Sequence, residues 1–217
     1  ARRHRVIATT QDEAQAEALR AESDKRGQSL EVFKLDITAA ADRERLRSIE
    51  LDVLINNAAI GDSGSLAEVD VNRIRRTFEV NVFATLELTQ VALAGMIARR
   101  RGTVLFVSSI AGRVPMPFLM PYSMTKFALS AAGAALRAEL DELACNVHVA
   151  LIEPGAIHTG FNQAMTARKY EWMGAQSYFK AQAGRIRAKE SKVFGLIEAR
   201  STDSIVAPIV AEIPRSL

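Results

Sequence analysis

Short apolar runs alternate with longer segments of helical periodicity along this chain, and no β-hairpin signal lies between them. Strands connected only through helices must run parallel, and a parallel sheet is stable when helices cover both of its faces. The sequence therefore predicts an α/β fold with a doubly wound parallel sheet. The predicted strands are residues 5–9, 30–36, 51–57, 103–109 and 146–155, and the predicted helices are residues 13–26, 43–49, 71–99 and 122–143.

Polar or turn-forming residues stand where the predicted strands end. Ligands of open parallel sheets bind outside the carboxyl ends of the strands, so these positions are candidate functional residues. They are Thr9 and Thr10, Asp36, Asn56 and Asn57, Ser108 and Ser109, and Pro154 with Gly155.

The chain reads as one domain over residues 1–217, without an internal repeat or a linker. Its 217 residues, 48% of them hydrophobic, suffice for one substantial core. Residues 160–194 interrupt the alternation of strands and helices. Scattered aromatic residues in this segment predict an insertion that covers the substrate site, and they are Phe161, Tyr170, Trp172, Tyr178 and Phe179.

Charge and cysteine usage narrow the function classes. The net charge of +3 comes from 28 basic residues mixed with 25 acidic ones, which argues against a nucleic-acid surface. The single Cys145 has no disulfide partner, and the three histidines lack metal-ligand spacing. No stretch predicts a membrane span or a signal segment. We expect a cytoplasmic protein without a metal, a nucleic-acid partner or a membrane.

The stretch "PYSMTKFAL" places Tyr122 and Lys126 four residues apart on a predicted helix that Pro121 opens. Residues at this spacing share one helix face. Such a pair also arises by chance on solvated helices, so by itself it indicates an exposed face more often than a catalytic site.

The neighbouring motifs change that interpretation. From residue 5 to about residue 159 the sequence resembles the short-chain dehydrogenase/reductase family, with "LINNAAIG", "FEVNVFATLEL", "TVLFVSS", the tyrosine segment and "EPGAIHTGF" in the family's order and spacing. The resemblance implies a Rossmann-like fold. It also implies an NAD(P)-dependent oxidoreductase that interconverts a secondary alcohol and a ketone by hydride transfer.

The resemblance assigns catalytic roles to four residues. Tyr122 matches the general acid/base and Lys126 its partner, Ser109 matches the serine that holds the substrate oxygen, and Asn81 matches the asparagine that ties the lysine to a relay water. A phenol titrates near pH 10. An ammonium about 4 Å away would favour the phenolate by about 4 kcal/mol at an effective dielectric near 20, before the cost of desolvation is subtracted, so we expect a lowered tyrosine pKa.

The cofactor contacts implied by the resemblance come from several strand ends. Asp36 and Ile37 match residues that contact the adenine, and Asn56, Asn57 and Ala58 match residues beside the ribose. The positions that match contacts of the nicotinamide carboxamide are Pro154, Gly155, Ile157 and Thr159. Tyr122 and Lys126 match cofactor contacts as well. Ala59 stands where the family usually has glycine.

In the resembled family, the residues at the end of the second strand determine whether NAD or NADP is preferred. An acidic residue there binds the ribose 2′-hydroxyl and repels a 2′-phosphate. This chain has Thr9, Thr10 and Gln11 at that point, which favours NADP, although Asp12 follows closely and could reverse the preference.

Two departures from the family leave alternatives open. The sequence lacks the glycine-rich turn of the first strand and the last strand, so we expect a truncated or partly recorded chain. A truly absent glycine turn would instead favour a non-catalytic binding or scaffold protein. An epimerase or dehydratase of the same superfamily is a further alternative.

The expected substrate and assembly follow from two more patterns. Apolar residues before the tyrosine, together with the aromatic insertion, predict a lipophilic alcohol or ketone; they are Val114, Met116, Phe118 and Leu119. In the resembled family the helices that match those carrying Asn81 and Tyr122 pair between subunits, which implies a homodimer or homotetramer. The small residues of the second helix could equally pack on its own sheet.

Overall fold

The computed structural model describes residues 4–28 and 30–213, and the predicted alternation of strands and helices is present in it. The strands are Ile7–Thr10 (β1), Glu31–Lys34 (β2), Val53–Asn56 (β3), Gly102–Val107 (β4) and Val147–Ile152 (β5). The helices are Glu13–Lys25 (α1), Ala40–Glu44 (α2), Val71–Phe78 (α3), Thr85–Arg99 (α4), Met120–Glu142 (α5), Phe161–Trp172 (α6), Ala183–Ile197 (α7) and Asp203–Glu212 (α8). Short 3₁₀ turns cover Arg45–Ser48, Ile110–Gly112 and Lys180–Gln182.

All strand pairs are parallel, but they form two sheets rather than one. β1 pairs with β2, and β3, β4 and β5 pair in that order. The predicted α/β fold with parallel strands is confirmed, and its strands lie in two separate groups among the described residues. In the strand order of the Rossmann fold, the strand before β1 lies between β1 and β3. The described residues hold no strand ahead of Ile7 to join the two sheets.

The main core lies between the three-stranded sheet and the helices packed on it. Met96 of α4 and Val104 and Phe106 of β4 are fully buried in it. A Cβ added at Gly133 of α5 would lie 2.8 Å from Leu151 and 3.2 Å from Phe106. The absence of a side chain at Gly133 therefore permits α5 to approach its own sheet. This is the alternative to subunit pairing that the small residues of this helix left open.

The long helix predicted over residues 71–99 is interrupted by a π-helical segment. Glu79–Ala84 lies between α3 and α4 with the wider i→i+5 winding, and Asn81 stands in its middle. Insertions of this kind often occur at functional sites because they turn a side chain out of the regular helical ladder. The position of Asn81 in this segment is therefore consistent with a functional role.

The stretch Val71–Arg99 is, among the described residues, long and apolar enough to cross a membrane. This differs from the expectation that no such stretch exists. Half of its apolar window is buried inside the fold, where Leu88, Leu93 and Met96 belong to the main core. A core helix meets the same criteria of length and composition, so these criteria alone do not assign the helix to a membrane.

Candidate active site

Helix α5 and the end of strand β4 bring Tyr122, Lys126 and Ser109 together. Tyr122 and Lys126 lie in the first two turns of α5, where they are 8% and 3% exposed. Ser109 follows β4 and accepts a hydrogen bond from the Ala111 amide at 3.1 Å. A hydrogen bond also joins the side chains of Ser109 and Tyr122. The pair predicted from a four-residue spacing therefore lies in the interior, not on an exposed helix face.

Burial dominates the electrostatics of this pair. It raises the pKa of Tyr122 to about 12, against a smaller lowering by the hydrogen bond from Ser109. Burial likewise lowers the pKa of Lys126 to about 8, because a charged ammonium is costly away from water. Both groups therefore favour their neutral forms more than they would in water.

The expected lowering of the tyrosine pKa by the lysine is not what the structure shows. The Lys126 ammonium donates a hydrogen bond to the Val107 carbonyl at 2.7 Å. It lies 5.6 Å from the centroid of the Tyr122 ring. Burial is the largest cause of the change in the Tyr122 pKa, so desolvation, which the expectation had not yet subtracted, decides its direction.

Asn81 is buried and fully hydrogen-bonded between two elements of the site. Its Oδ1 accepts from the Ile60 amide at 2.8 Å, and its Nδ2 donates to the Ile60 carbonyl at 2.9 Å and to Thr125 Oγ1 at 3.0 Å. Asn81 therefore joins the loop after β3 to α5 one residue before Lys126. It makes no direct hydrogen bond to Lys126 in the described residues.

A cavity of about 920 Å³ opens beside Tyr122 and is lined mostly by apolar side chains. Its walls come from the ends of the strands, from the loop before α5 and from helices α6 to α8. The catalytic candidates on its surface are Ser109, Tyr122 and Lys126. The predicted insertion supplies Phe161, Asn162, Met165, Ile186, Lys189, Glu190, Val193 and Phe194 to the walls.

Six of the predicted cofactor contacts, besides Tyr122 and Lys126, line this cavity: Asn57, Ala58, Pro154, Gly155, Ile157 and Thr159. Asn56 does not. Its side chain is turned into the core, where Nδ2 donates to Thr89 Oγ1 at 2.9 Å and Oδ1 has no hydrogen-bond partner. Alternate side chains of a strand point to opposite faces, so two neighbouring asparagines could not both face the cavity.

The four predicted contacts of the adenine side lie away from the cavity, next to β1 and β2. Thr9 and Thr10 end β1, and the Thr10 hydroxyl donates to the Asp12 carbonyl at 3.0 Å. Asp36 accepts two hydrogen bonds from Thr38, and Ile37 packs into the main core. These residues lie in or just after the strands of the two-stranded sheet, whereas the predicted nicotinamide contacts line the cavity beside the three-stranded sheet.

The docking of α6 onto the loop after β3 was not predicted. The buried Ser63 donates to the Met165 carbonyl at 2.6 Å and accepts from the Lys169 amide at 3.2 Å. A Cβ added at Gly64 would lie 2.3 Å from the Trp172 ring, so only glycine permits this contact. The stretch "GDSGS" carried the signal, since glycine in a buried loop often marks a close approach.

The residues around the cavity fit the nicotinamide half of a dinucleotide. Gly155 lies on the wall, and a Cβ built on it would meet nothing within 4 Å, which leaves open space over the backbone. Ser109 and Lys126 supply polar atoms beside that space. The described residues contain no glycine-rich turn for the pyrophosphate.

Comparison with known proteins gives consistent matches. The family model described as short chain dehydrogenase matches residues 1–170. Retinol dehydrogenase 8 of Homo sapiens is 32% identical over 171 residues, which cover 77% of this chain and 54% of that protein. The NADPH-dependent 3-dehydrocapnine reductase of Ornithobacterium rhinotracheale is 43% identical over 113 residues, covering 50% of this chain and 39% of that one.

The same fold occurs in solved structures. A short chain dehydrogenase/reductase from Burkholderia phymatum in complex with NAD superposes with a TM-score of 0.76 at 20% identity, over 94% of this chain and 75% of that one. At this identity the likeness shows the fold alone. The chain spans about half the length of the first curated relatives that it matches.

Proposed function

The chain belongs to the short-chain dehydrogenase family, and from this premise we propose that it is an NAD(P)-dependent oxidoreductase that interconverts a secondary alcohol and a ketone. The observation that carries the proposal is the placement of Tyr122, Ser109 and Lys126 on one wall of an apolar cavity. In the proposed roles Tyr122 is the general acid/base, Ser109 holds the substrate oxygen, and Asn81 positions α5 through Thr125.

The protonation states suit carbonyl reduction at neutral pH. With a pKa of about 12, Tyr122 holds its proton and can donate it to a substrate oxygen. Ser109 donates a hydrogen bond to the same oxygen as negative charge develops on it. Lys126, with a pKa of about 8, is still mostly charged at pH 7 and stabilises the phenolate that remains. A bound nicotinamide would supply or accept the hydride.

The lining of the cavity supports a lipophilic substrate. Four aromatic or thioether side chains share an apolar cluster with Tyr122, and the centroid of the Phe161 ring lies 5.6 Å from that of the Tyr122 ring. They are Met116, Phe161, Met165 and Phe194. The burial of an apolar substrate body against them supplies binding energy in proportion to its area. One relative is named for retinol, a lipophilic alcohol.

The proposed cofactor is NADP, with NAD as the alternative. No acidic residue ends β1, where Thr9 and Thr10 stand. The Asp12 carboxylate accepts a hydrogen bond from the Gln15 amide at 2.8 Å as the N-cap of α1, so it is already engaged. One relative is named as NADPH-dependent, whereas the Burkholderia phymatum structure contains NAD.

We expect the full-length protein to bind NADPH saturably and at least about tenfold more tightly than NADH, which is a difference of about 1.4 kcal/mol. Titration followed by nicotinamide fluorescence measures both dissociation constants. A stronger affinity for NADH would transfer the preference to NAD. If neither dinucleotide bound, Tyr122 and Lys126 would lack a hydride partner, and a binding or scaffold role would replace the proposed activity.

We also propose that the protein is a cytoplasmic homodimer or homotetramer. Phe83 of the π-helical segment is 52% exposed, and Phe127 of α5 is exposed as well. Aromatic side chains are enriched in subunit contacts, which supports the proposal. Sedimentation of the full-length protein from the cytosolic fraction, at micromolar concentration, should give a dimer or tetramer. A monomer, or recovery only with membranes, would contradict the corresponding part of this proposal.

A further inference from the structure

We propose that Glu198 is a positioning residue that fixes the segment following β5 and joins it to helices α6 and α7. The inference rests on the proposed function, because the segment in question, residues 154–159, would hold the nicotinamide. Glu198 follows the last residue of α7 and lies 40 residues from His158. No motif in the sequence connected the two.

The Glu198 carboxylate is the centre of a compact hydrogen-bond cluster. One oxygen lies 2.7 Å from His158 Nδ1, and the other accepts from Asn162 Nδ2 at 2.9 Å. Gln163 Nε2 bonds to both oxygens, at 3.0 and 3.1 Å. The Glu198 side chain is only 8% exposed, whereas that of its partner His158 is 64% exposed.

The backbone on either side of the cluster forms a small piece of parallel sheet. Ile157 and Ala199 are paired in a parallel bridge. The His158 amide donates to the Ala199 carbonyl, and the Ala199 amide donates to the Ala156 carbonyl, both at 2.9 Å. An isolated bridge has few backbone hydrogen bonds of its own. The hydrogen-bond cluster around Glu198 helps to hold the two backbone segments together.

Both sides of this bridge line the cavity, with different surfaces. The β5 side contributes Gly155, Ile157 and Thr159, which are polar or backbone contacts of the nicotinamide in the proposed function. The other side continues from α7, whose Phe194 and Ile197 form part of the apolar wall. The Glu198 carboxylate therefore fixes the position of the proposed cofactor-binding wall relative to the apolar wall.

An acceptor-only group is required at this position. Asn162 and Gln163 both present amide donors to Glu198, and an ionised carboxylate accepts at both oxygens. These bonds also lower the pKa of Glu198, first through Asn162 and then through His158, which keeps the group ionised. A glutamine of the same shape would present its own NH₂ group to one of these donors and lose that hydrogen bond.

The test compares Glu198→Gln with Glu171→Gln in the full-length protein. Glu171 is an exposed residue of α6, so its substitution changes the charge equally without entering the cluster. We expect E198Q to weaken NADPH binding by about tenfold, as one lost charge-assisted contact implies, with unchanged binding of 2′,5′-ADP, which lacks the nicotinamide. Amide hydrogen exchange at His158 and Ala199 should accelerate in E198Q alone.

Asn162→Leu provides a second variant, which removes one donor and keeps the carboxylate. It should change the same two readouts in the same direction. Equal NADPH affinities of E198Q and E171Q would overturn the inference and leave the proposed function intact. Equal weakening of NADPH and 2′,5′-ADP would show general destabilisation and would also overturn it. A wild-type protein that binds no dinucleotide would overturn the proposed function, and this inference with it.

Discussion

Tyr122→Phe should reduce kcat by about a thousandfold, the middle of the range for loss of a general acid. The substitution removes only the hydroxyl that donates the proton. The ring keeps its contact with Phe161 and its place in the apolar cluster around Met165, so the affinity for NADPH and the melting temperature should change little. Initial rates of NADPH consumption with a panel of lipophilic ketones measure the effect.

Tyr178→Phe is the matched control, because Tyr178 is 76% exposed and undergoes the same chemical change. It should retain the wild-type rate. A Tyr122→Phe enzyme that kept more than about a tenth of the wild-type kcat would exclude Tyr122 as the proton donor, since general acid catalysis contributes at least about a hundredfold. An unchanged NADPH affinity in that variant would confirm that the loss lies in the chemical step.

Local patterns predicted the strands and the long helices of this fold well, whereas the helix predicted over residues 43–49 is a short helix, Ala40–Glu44, followed by a 3₁₀ turn. Each strand lies within a few residues of its predicted position, because a short β-branched run between two helical segments has one favourable conformation. The spacing of Tyr122 and Lys126 predicted their common helix face for the same reason. Such predictions depend on neighbours within one or two turns, and these are visible in the sequence.

Local sequence patterns could not predict the contacts between residues that are far apart in the chain. Glu198 meets His158 and Asn162 only after α6 and α7 have folded over the cavity. The inward rotation of Asn56 depends on Thr89, which lies 33 residues away. The pKa of Tyr122 depends mainly on how deeply the side chain is buried. The spacing of residues in the sequence does not show that burial.

Lys126→Met should make the folded protein more stable at neutral pH while it removes most of the activity. Lys126 is buried with a pKa of about 8, against 10.5 in water. That difference corresponds to about 3 kcal/mol of destabilisation when both states carry the proton. Loss of the hydrogen bond to the Val107 carbonyl offsets about 1 kcal/mol. We therefore expect a net gain of about 2 kcal/mol at pH 7.

The pH dependence gives this effect a distinct signature. Between pH 8 and 10.5 the unfolded chain retains a proton on Lys126 that the folded protein has released, so the stability of the wild type rises with pH in this window. Lys126→Met lacks this contribution. The stability advantage of Lys126→Met should therefore shrink from pH 8 upward and reach zero between about pH 9 and pH 10. Near pH 10.5 and above, the wild type should be the more stable protein by about 1 kcal/mol, the contribution of the hydrogen bond to Val107. Urea titrations at several pH values measure this difference.

The activity of Lys126→Met should fall by about a hundredfold or more at pH 7, because the methionine provides no charge beside the Tyr122 phenolate. Lys192→Met is the control, since Lys192 is an exposed lysine of α7; its stability profile and rate should match the wild type. A Lys126→Met protein less stable than the wild type at pH 7 would contradict the burial cost assigned to the ammonium. A gain in stability together with a loss of turnover would instead show that this buried charge is retained for catalysis at the expense of the fold.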